Sequence, residues 1–334
     1  MLRFDSCIRT RVNLKDPMPV QKPSCVVLGG TGFIGTNLCR RLVASGHRVR
    51  AFGRQRRFPT DLHGVEWYQG DFTDRDSVAA AIETFDIVFH LVHGSMPQAA
   101  NLAMASDVQQ NVIPSIALLE LCGKLGIKRV IFSSSGGTIY GLTQQIPTPE
   151  TAPANPICAY GISKLSTERY LALYEHFHSL DFRVLRVANP FGPFQIAWKG
   201  QGFIAAAVSR ALRGQPIEVW GDGSVVRDFV FIDDVIDAFE AAMTDSSDNR
   251  TYNIGTGEGR SLRQVMTAIE RLLDVPLTIK WGAARPLDVP FSVVAIDRAA
   301  GSLGWKPKTT FETGLAITID WARRYRSEID KIFL

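Results

Sequence analysis

The sequence has few cysteines, and they follow no recognisable pattern. Its 334 residues include five cysteines, none of them in a CxxC pair or in a Cys/His cluster with the spacing of a zinc site. An odd and scattered set does not indicate a disulfide framework, so we expect a reduced, cytoplasmic environment. We also expect no metal site.

Long apolar runs and an excess of one charge are missing as well. No stretch is apolar over the length that a membrane helix needs, and residues 1–23 have no signal-like apolar segment. The net charge is only +4, without a block of lysine and arginine. Neither a membrane nor a nucleic acid is therefore an expected partner. We interpret residues 1–23 as a flexible tail.

The remaining sequence is typical of a globular protein, and its first half alternates between two patterns. Five short apolar runs predict buried strands, at 24–28, 48–52, 86–92, 130–133 and 182–187. Four segments have the apolar spacing of helices, at 33–45, 77–84, 113–125 and 164–176. This alternation predicts an α/β fold with a doubly wound parallel sheet.

A glycine-rich turn follows the first predicted strand. Gly29, Gly32 and Gly35 are spaced three residues apart, and the next helix is predicted to begin with Phe33 and Ile34. Such glycines allow a tight turn and a close approach of the backbone to a pyrophosphate, which the free N–H groups of the helix N-terminus bind. Because the motif directly follows a strand, a dinucleotide site is favoured over a glycine turn without a ligand.

The end of the second strand leaves the choice between NAD and NADP open. A carboxylate at this place would bind the ribose hydroxyls of NAD, but the sequence has Gly53 followed by Arg54 and two further arginines. Guanidinium groups favour the 2′-phosphate of NADP, although a solvated arginine loop fits the sequence equally well. After the next strand, Asp71 is expected at the adenine amino group and Phe72 beside the adenine ring.

Tyr160 and Lys164 are candidates for acid/base chemistry. They are four residues apart at the start of a predicted helix, so both project from one face. An ammonium group beside a phenol lowers the pKa of the phenol toward neutral pH. Earlier in the chain, Ser134, Ser135 and Thr138 supply hydroxyl groups at the carboxyl end of a strand, where open α/β sheets bind ligands. The alternative is a surface tyrosine on an amphipathic helix.

These motifs, in this order, resemble the extended short-chain dehydrogenase/reductases, and among them the NAD-dependent epimerase/dehydratase family. The resemblance covers about 24–321. It implies a Rossmann domain at 24–188, to which 229–254 returns, and a smaller mixed α/β substrate lobe made of 189–228 and 255–334.

The resemblance also implies roles for the hydroxyl and lysine side chains. Tyr160 would be the catalytic acid/base, and Lys164 would also bind the nicotinamide ribose. One serine of the strand end would orient the sugar hydroxyl. Ser135 is the favoured residue, with Ser134 and Thr138 next to it.

Further residues resemble the family's substrate-binding motifs. Asn189 would donate a hydrogen bond to a substrate diphosphate, and Arg227 and Arg285 would hold that diphosphate between paired, charge-assisted hydrogen bonds. The alternative is that each arginine forms an internal ion pair, Arg227 with Asp228 and Arg285 with Asp288.

The residues after Ser135 narrow the reaction. Relatives that dehydrate or decarboxylate the sugar need acidic residues there, where this sequence has glycine and threonine. A nucleotide-sugar 4-epimerase, which forms a transient 4-keto sugar with bound NAD(P), is therefore the first expectation. An NADPH-dependent reductase of a nucleotide-linked ketosugar is the second. A cofactor-binding sensor or scaffold is disfavoured, because Tyr160 and Lys164 are present.

The substrate and the assembly follow from the same resemblance. Ser292, seven places after Arg285, stands where relatives have a bulky residue for plain hexoses and a small one for an N-acetyl group. We therefore expect UDP-N-acetylhexosamines as substrates, with UDP-glucose and UDP-galactose as well. A homodimer is expected to form through the helices at 113–125 and 164–176.

Overall fold

A seven-stranded parallel sheet forms the centre of the structure. The computed structural model describes residues 22–58, 61–94, 97–196, 202–285 and 289–326. The expected tail at 1–23 therefore lies almost wholly outside the described residues. In the described part no helix has the length and apolar character needed to cross a bilayer.

Strands and helices alternate along the first half of the chain, as predicted. The strands are β1 Cys25–Leu28, β2 Val49–Gly53, β3 Glu66–Gln69, β4 Ile87–His90, β5 Arg129–Ser135, β6 Phe182–Val187, β7 Asn189–Phe191, β8 Ile217–Trp220, β9 Val226–Arg227, β10 Phe229–Phe231, β11 Thr251–Ile254, β12 Arg260–Ser261, β13 Ile279–Gly282 and β14 Phe291–Ser292. The helices are α1 Phe33–Ala44, α2 Arg75–Ile82, α3 Pro97–Leu102, α4 Met104–Asp107, α5 Ile113–Leu125, α6 Ala159–His178, α7 Phe203–Leu212, α8 Ile232–Thr244, α9 Leu262–Leu273, α10 Asp297–Ser302 and α11 Phe311–Arg324. A π-helical turn, Val108–Val112, joins α4 to α5.

The order of strands in the large sheet is β11-β6-β5-β4-β1-β2-β3, and neighbouring strands are parallel. Strand β1 pairs with β2 on one side and with β4 on the other, so the chain reverses its direction of travel across the sheet at this point. Open α/β sheets bind ligands at the carboxyl ends of the strands beside such a switch point. The predicted doubly wound Rossmann-like fold is confirmed.

Both faces of the sheet are buried, which explains why its strands are nearly continuous apolar runs. On β1, Val27 packs in the core that includes Leu38 of α1, whereas Val26 and Leu28 pack in the opposite core with Leu118 of α5. Each fully buried side chain of this size contributes about 1.5–3 kcal/mol. The two cores fix the register of β1, and with it the position of the glycine turn that follows.

Smaller sheets form the second half of the structure. Strands β7 and β10 pair with each other, β9 lies between β12 and β14, and β8 pairs with β13. Strand β11 lies instead beside β6 at the edge of the large sheet. The division of the chain into a Rossmann domain and a substrate lobe at the stated boundaries remains a prediction.

Candidate active site

The glycine turn joins β1 tightly to α1. Gly29 has a φ of +83°, a left-handed conformation that suits glycine. A Cβ atom at Gly35 would lie 2.2 Å from the carbonyl oxygen of Gly29, so a side chain there would push the helix away from the strand. The turn also faces the other side of the switch point, since a Cβ at Gly29 would come within 3.3 Å of the backbone of Leu91, just after β4.

The N-terminus of α1 is open toward the crevice at the switch point, between the carboxyl ends of β1 and β4. Its N-cap, Gly32, makes no side-chain cap, and the first turn, which includes Phe33 and Ile34, has no acidic residue. A Cβ at Gly32 would have only the Gly29 oxygen within 4 Å among the described residues. Unpaired N–H groups at the positive end of a helix dipole attract anions. The turn therefore fits the pyrophosphate of a dinucleotide.

The far end of the crevice carries opposite charges. Arg54 and Asp71 are both exposed, and the charge of Arg54 adds to the hydrogen bonds from Thr73 that lower the pKa of the Asp71 carboxyl. The backbone N–H and the hydroxyl of Thr73 donate to that carboxylate at 2.9 and 2.8 Å. Phe72 differs from expectation, because its ring is only 6% exposed and packs 4.9 Å from the His90 ring. It is thus a core residue in this structure, not a surface beside the adenine.

Tyr160 and Lys164 lie in the first two turns of α6, next to the end of β5. Lys164 is 3% exposed, its Nζ donates to the Ser133 carbonyl at 2.8 Å, and Nζ is 5.8 Å from the Tyr160 ring centroid. Burial lowers the pKa of Lys164 to about 7, although the charges of Glu168 and Asp107 oppose this. Burial also raises the pKa of Tyr160. The expected lowering of the tyrosine pKa is therefore not seen in the protein by itself, because both groups are desolvated.

The hydroxyl groups at the end of β5 have different surroundings. The Ser134 hydroxyl donates to the buried carboxylate of Glu168 at 2.6 Å, and Glu168 is paired with Arg186 at 2.6 Å. This arrangement attaches α6 to the sheet and engages Ser134. Ser135 is half-buried, and the hydroxyl oxygen of Thr138 is buried without a hydrogen-bond partner in the described part of the chain.

Three of the predicted residues meet around Gly137, which follows β5. The polar atoms nearest to a Cβ placed at Gly137 would be Ser292 Oγ at 3.9 Å, Asn189 Nδ2 at 4.0 Å and Ser135 Oγ at 4.0 Å. Ser292 of β14 is also the register partner of Arg227 in β9. Side chains from the three strands β5, β7 and β14 are thus brought to the carboxyl end of β5.

The two arginines that are predicted to bind the diphosphate lie in different settings. The Nη1 atom of Arg227 donates to the carbonyl oxygens of Val226 at 2.9 Å and Val289 at 2.6 Å. The guanidinium group of Arg285 stacks 4.2 Å from the ring centroid of Trp220, which is 42% exposed. Asp288 lies outside the described residues, so the alternative ion pair with Arg285 stays a prediction.

Asp228, the other expected ion-pair partner, is fully buried. Its carboxylate accepts hydrogen bonds from the backbone N–H groups of Thr256, Gly257 and Val294 at 2.8, 3.2 and 3.4 Å. Asp228 therefore joins β9 to the loop after β11 and to the segment after β14, and so connects the small sheet of β9 and β14 with the edge of the large sheet.

Two residues beside Tyr160 were missed by the sequence analysis. The ring centroids of His93 and Tyr160 are 4.4 Å apart, and Asp107 Oδ1 is 3.5 Å from His93 Nε2. His93 stands three residues after the end of β4, and its place beyond the carboxyl end of a strand is a signal that could have identified it. Asp107 lies at a π-helical turn that no sequence pattern marked.

Comparison with known proteins agrees with this arrangement. The sequence model of the NAD dependent epimerase/dehydratase family matches residues 25–255. A UDP-glucose 4-epimerase of Mycolicibacterium smegmatis is 32% identical over 310 residues, which cover 89% of this chain and 98% of that protein.

Solved structures are similar over the same length. A UDP-glucose 4-epimerase from Thermotoga maritima with UDP-glucose has a TM-score of 0.87 and 34% identity, over 91% of this chain and 99% of that chain. A Thermus thermophilus UDP-glucose 4-epimerase in complex with NAD has a TM-score of 0.85 and 30% identity, over 90% and 99%. The chain therefore belongs to the NAD dependent epimerase/dehydratase family.

Proposed function

We propose that the chain is a nucleotide-sugar 4-epimerase that interconverts UDP-hexoses or UDP-N-acetylhexosamines through a transient 4-keto sugar, with NAD(P) bound. The observation that supports this most directly is the placement of Tyr160 and Lys164 beside the switch-point crevice, close to the strand end that carries Ser135. The relatives named above, which are UDP-glucose 4-epimerases, support the same reaction class.

The cofactor would occupy the crevice between β1 and β4. The open N-terminus of α1 fits its pyrophosphate, and Asp71 is exposed where the adenine amino group would lie. We favour NAD, because the family is NAD-dependent and the charge of Arg54 is partly offset by Asp71. Gly53 and Arg54 leave room for the 2′-phosphate of NADP. Titration of the cofactor-free protein with each dinucleotide tests this choice, and tighter binding of NADP would reverse it.

The chemical roles follow from where each side chain lies. A bound oxidised nicotinamide would supply the hydride acceptor for the sugar C4, and its reduced form would supply the hydride for return to the opposite face. Tyr160 removes the proton of the 4-hydroxyl and later gives it back, while the half-buried Ser135 hydroxyl orients that oxygen. Lys164 would donate to the hydroxyl groups of the nicotinamide ribose. Because one base and one bound cofactor suffice, no acidic residue is needed near the strand end.

The substrate lobe would hold the nucleotide while the 4-keto sugar rotates in the site to present its other face. Asn189, Arg227 and Arg285 are the proposed ligands of the diphosphate, since amide and guanidinium groups donate to phosphate oxygens. Ser292, whose Oγ lies near Gly137 together with that of Ser135 and the amide of Asn189, is the small residue that would admit an N-acetyl group. Comparing UDP-galactose with UDP-GalNAc tests this specificity, and turnover of UDP-galactose without any of UDP-GalNAc at millimolar concentration would refute it.

Replacement of Tyr160 by Phe tests the reaction itself. The variant keeps the ring and loses only the hydroxyl, so we expect kcat to fall by about 10²- to 10⁴-fold if Tyr160 is the general base. The assay follows conversion of UDP-galactose to UDP-glucose by chromatography. Unchanged epimerisation would remove Tyr160 from the mechanism, and no activity in either protein on any UDP-sugar would favour a sensor or scaffold.

A net reductase remains the second candidate, because Gly53 and Arg54 permit NADPH. The two activities differ in cofactor balance. An epimerase turns over many substrate molecules without net change of the cofactor absorbance at 340 nm, whereas a reductase consumes one NADPH for each ketosugar. Stoichiometric loss of NADPH with a 4-keto nucleotide sugar, and no epimerisation, would establish the reductase.

We also propose a homodimer formed through α5 and α6. Large apolar side chains are exposed on these helices and at their ends, namely Ile113, Leu125, Ile162, Leu173 and Phe177. Phe177 is 68% exposed, and burial of such side chains against a second copy would be favourable. Sedimentation analysis tests this, and a monomer at micromolar concentration would refute it.

A further inference from the structure

Tyr160 lies in the first turn of its helix, where backbone N–H groups have no hydrogen-bond acceptor within the helix. It is the second residue of α6, and Cys158, at the N-cap, makes no side-chain cap. The N–H of Ala159 instead donates to Asn101 Oδ1 of α3 at 2.8 Å. The position of Tyr160 therefore depends on groups contributed by other segments.

Asp107 supplies a second external contact to this helix. Its side chain is almost completely buried and accepts a hydrogen bond from the hydroxyl of Ser163, three residues after Tyr160. It also accepts from Asn111 Nδ2 at 3.0 Å, across the π-helical turn. Such turns are frequent at functional sites. Because a buried carboxylate needs donors around it, Asp107 holds the π-helical turn and α6 in a fixed relation.

His93 connects this carboxylate with the Tyr160 ring. Its Nε2 is 3.5 Å from Asp107 Oδ1, and its ring meets that of Tyr160 at 65° with a centroid distance of 4.4 Å. Edge-to-face contact is a preferred geometry of aromatic pairs. The neighbouring Gly94 N–H donates to Asn111 Oδ1 at 2.6 Å, which holds the loop that carries His93. Burial lowers the pKa of His93 to about 4, so the imidazole is neutral at physiological pH.

We propose that His93, oriented by Asp107, is a positioning residue that fixes the ring of Tyr160 for proton transfer. The inference rests on the proposed role of Tyr160 as the general base. The diphosphate ligands lie in other segments, so His93 should influence the chemical step much more than substrate binding. A ring that can move away from the sugar hydroxyl loses the alignment that the transition state requires.

Three substitutions in the full-length, cofactor-loaded protein separate the two contacts of His93. His93→Ala removes both, and we expect kcat to fall by about tenfold to a hundredfold while KM changes by less than about threefold. His93→Phe keeps a ring against Tyr160, and His93→Gln keeps an N–H group for Asp107. Each should restore kcat in part, to values between those of His93→Ala and the unmodified protein. His63→Ala, at an exposed histidine before β3, is the control and should leave kcat and KM unchanged.

A pH profile provides a readout that a purely structural role would not move. The charged and titratable groups around Tyr160 are Lys164 on its own helix, Cys158 at its N-cap, His93 after β4 and Asp107 before the π-helical turn. Burial raises the pKa of Tyr160 most, and the charges of Cys158 and Asp107 raise it further. In Asp107→Asn this charge is gone, so the acid limb of kcat/KM should move to lower pH.

The outcomes are distinguishable from failure of the proposed function. Tyr160→Phe, assayed in parallel, must be strongly impaired for the reaction assignment to hold. If it is impaired while His93→Ala retains full kcat, or loses only substrate affinity, the positioning role of His93 is refuted. An unmoved acid limb in a folded Asp107→Asn variant would refute the electrostatic effect of Asp107 on Tyr160, and the three His93 variants decide the positioning role of His93 whether or not that variant folds.

Discussion

Lys164 is expected to be needed for activity and, at the same time, to lower the free energy of unfolding of the protein. Its side chain is 3% exposed, and burial lowers its pKa from 10.5 to about 7. A difference of about 3.5 in pKa, at ~1.4 kcal/mol for each unit, corresponds to a full effect of about 5 kcal/mol. At pH 7 half of the native amine is still protonated, so burying it destabilises the folded protein by about 4 kcal/mol. Lys164→Met keeps the length and removes the charge. The variant also loses the hydrogen bond to the Ser133 carbonyl, a loss of about 1 kcal/mol.

We therefore expect the free energy of unfolding of cofactor-free Lys164→Met to be about 2–3 kcal/mol higher than that of the unmodified protein at pH 7. The same variant should lose activity. The difference in the free energy of unfolding between the two proteins, the gap, must also depend on pH. Between pH 7 and 10.5 the unfolded chain keeps the lysine proton while the native protein loses it, so the stability of the unmodified protein rises with pH in this window. Lys164→Met lacks this contribution. At pH 10 only ~1 kcal/mol of the contribution remains, and the lost hydrogen bond offsets it, so the gap should be close to zero.

Denaturant unfolding of both proteins at pH 7 and pH 10 measures this difference. The comparison cancels the titration of all other groups, because they are common to both proteins. Lys280→Met, at an exposed lysine in β13, is the matched control and should show no pH-dependent gap. A Lys164→Met variant that is less stable at pH 7, or a gap of equal size at both pH values, would refute the reasoning.

Four other substitutions give further tests. Gly35→Ala should unfold more easily by about 1–3 kcal/mol and bind NAD more weakly, because its Cβ would lie 2.2 Å from the Gly29 oxygen; thermal unfolding and dinucleotide titration measure both. Ser134→Ala should mainly lower the melting temperature, whereas Ser135→Ala should mainly lower kcat, and the opposite result would exchange their roles. Ser292→Tyr should abolish turnover of UDP-GalNAc and retain that of UDP-galactose, and equal loss of both would show that Ser292 does not select the sugar.

Much of the cofactor half could be predicted from local pattern. The helix over Ile113–Leu125 and the strand over Phe182–Val187 occur with the predicted bounds, because apolar periodicity depends only on neighbouring residues and the burial of one face. The boundaries of α6 were less accurate. Its apolar spacing indicated a helix only from Lys164, whereas the pair of Tyr160 and Lys164 had placed Tyr160 at the helix start. The helix begins at Ala159, so Tyr160 stands in its first turn. Its start is held by Asn101, which is far away in the sequence.

The candidate site shows the same division. The glycine turn and the YxxxK pair are local motifs whose spacing carries their chemistry, so the sequence by itself determined the family, the fold class and the candidate base. Only the tertiary structure could separate Ser134 from Ser135, because the difference is a hydrogen bond to Glu168 on another element. Only the tertiary structure showed that Phe72 is buried in the core.

Tertiary structure also determined the electrostatic environment of the site. The sequence placed an ammonium beside a phenol and predicted a lowered tyrosine pKa, but desolvation reverses the sign, and desolvation depends on how every surrounding segment packs. His93 and Asp107 are brought to Tyr160 by a loop after β4 and by a π-helical turn. Contacts between such distant segments follow from packing of the whole chain, and no local pattern records them.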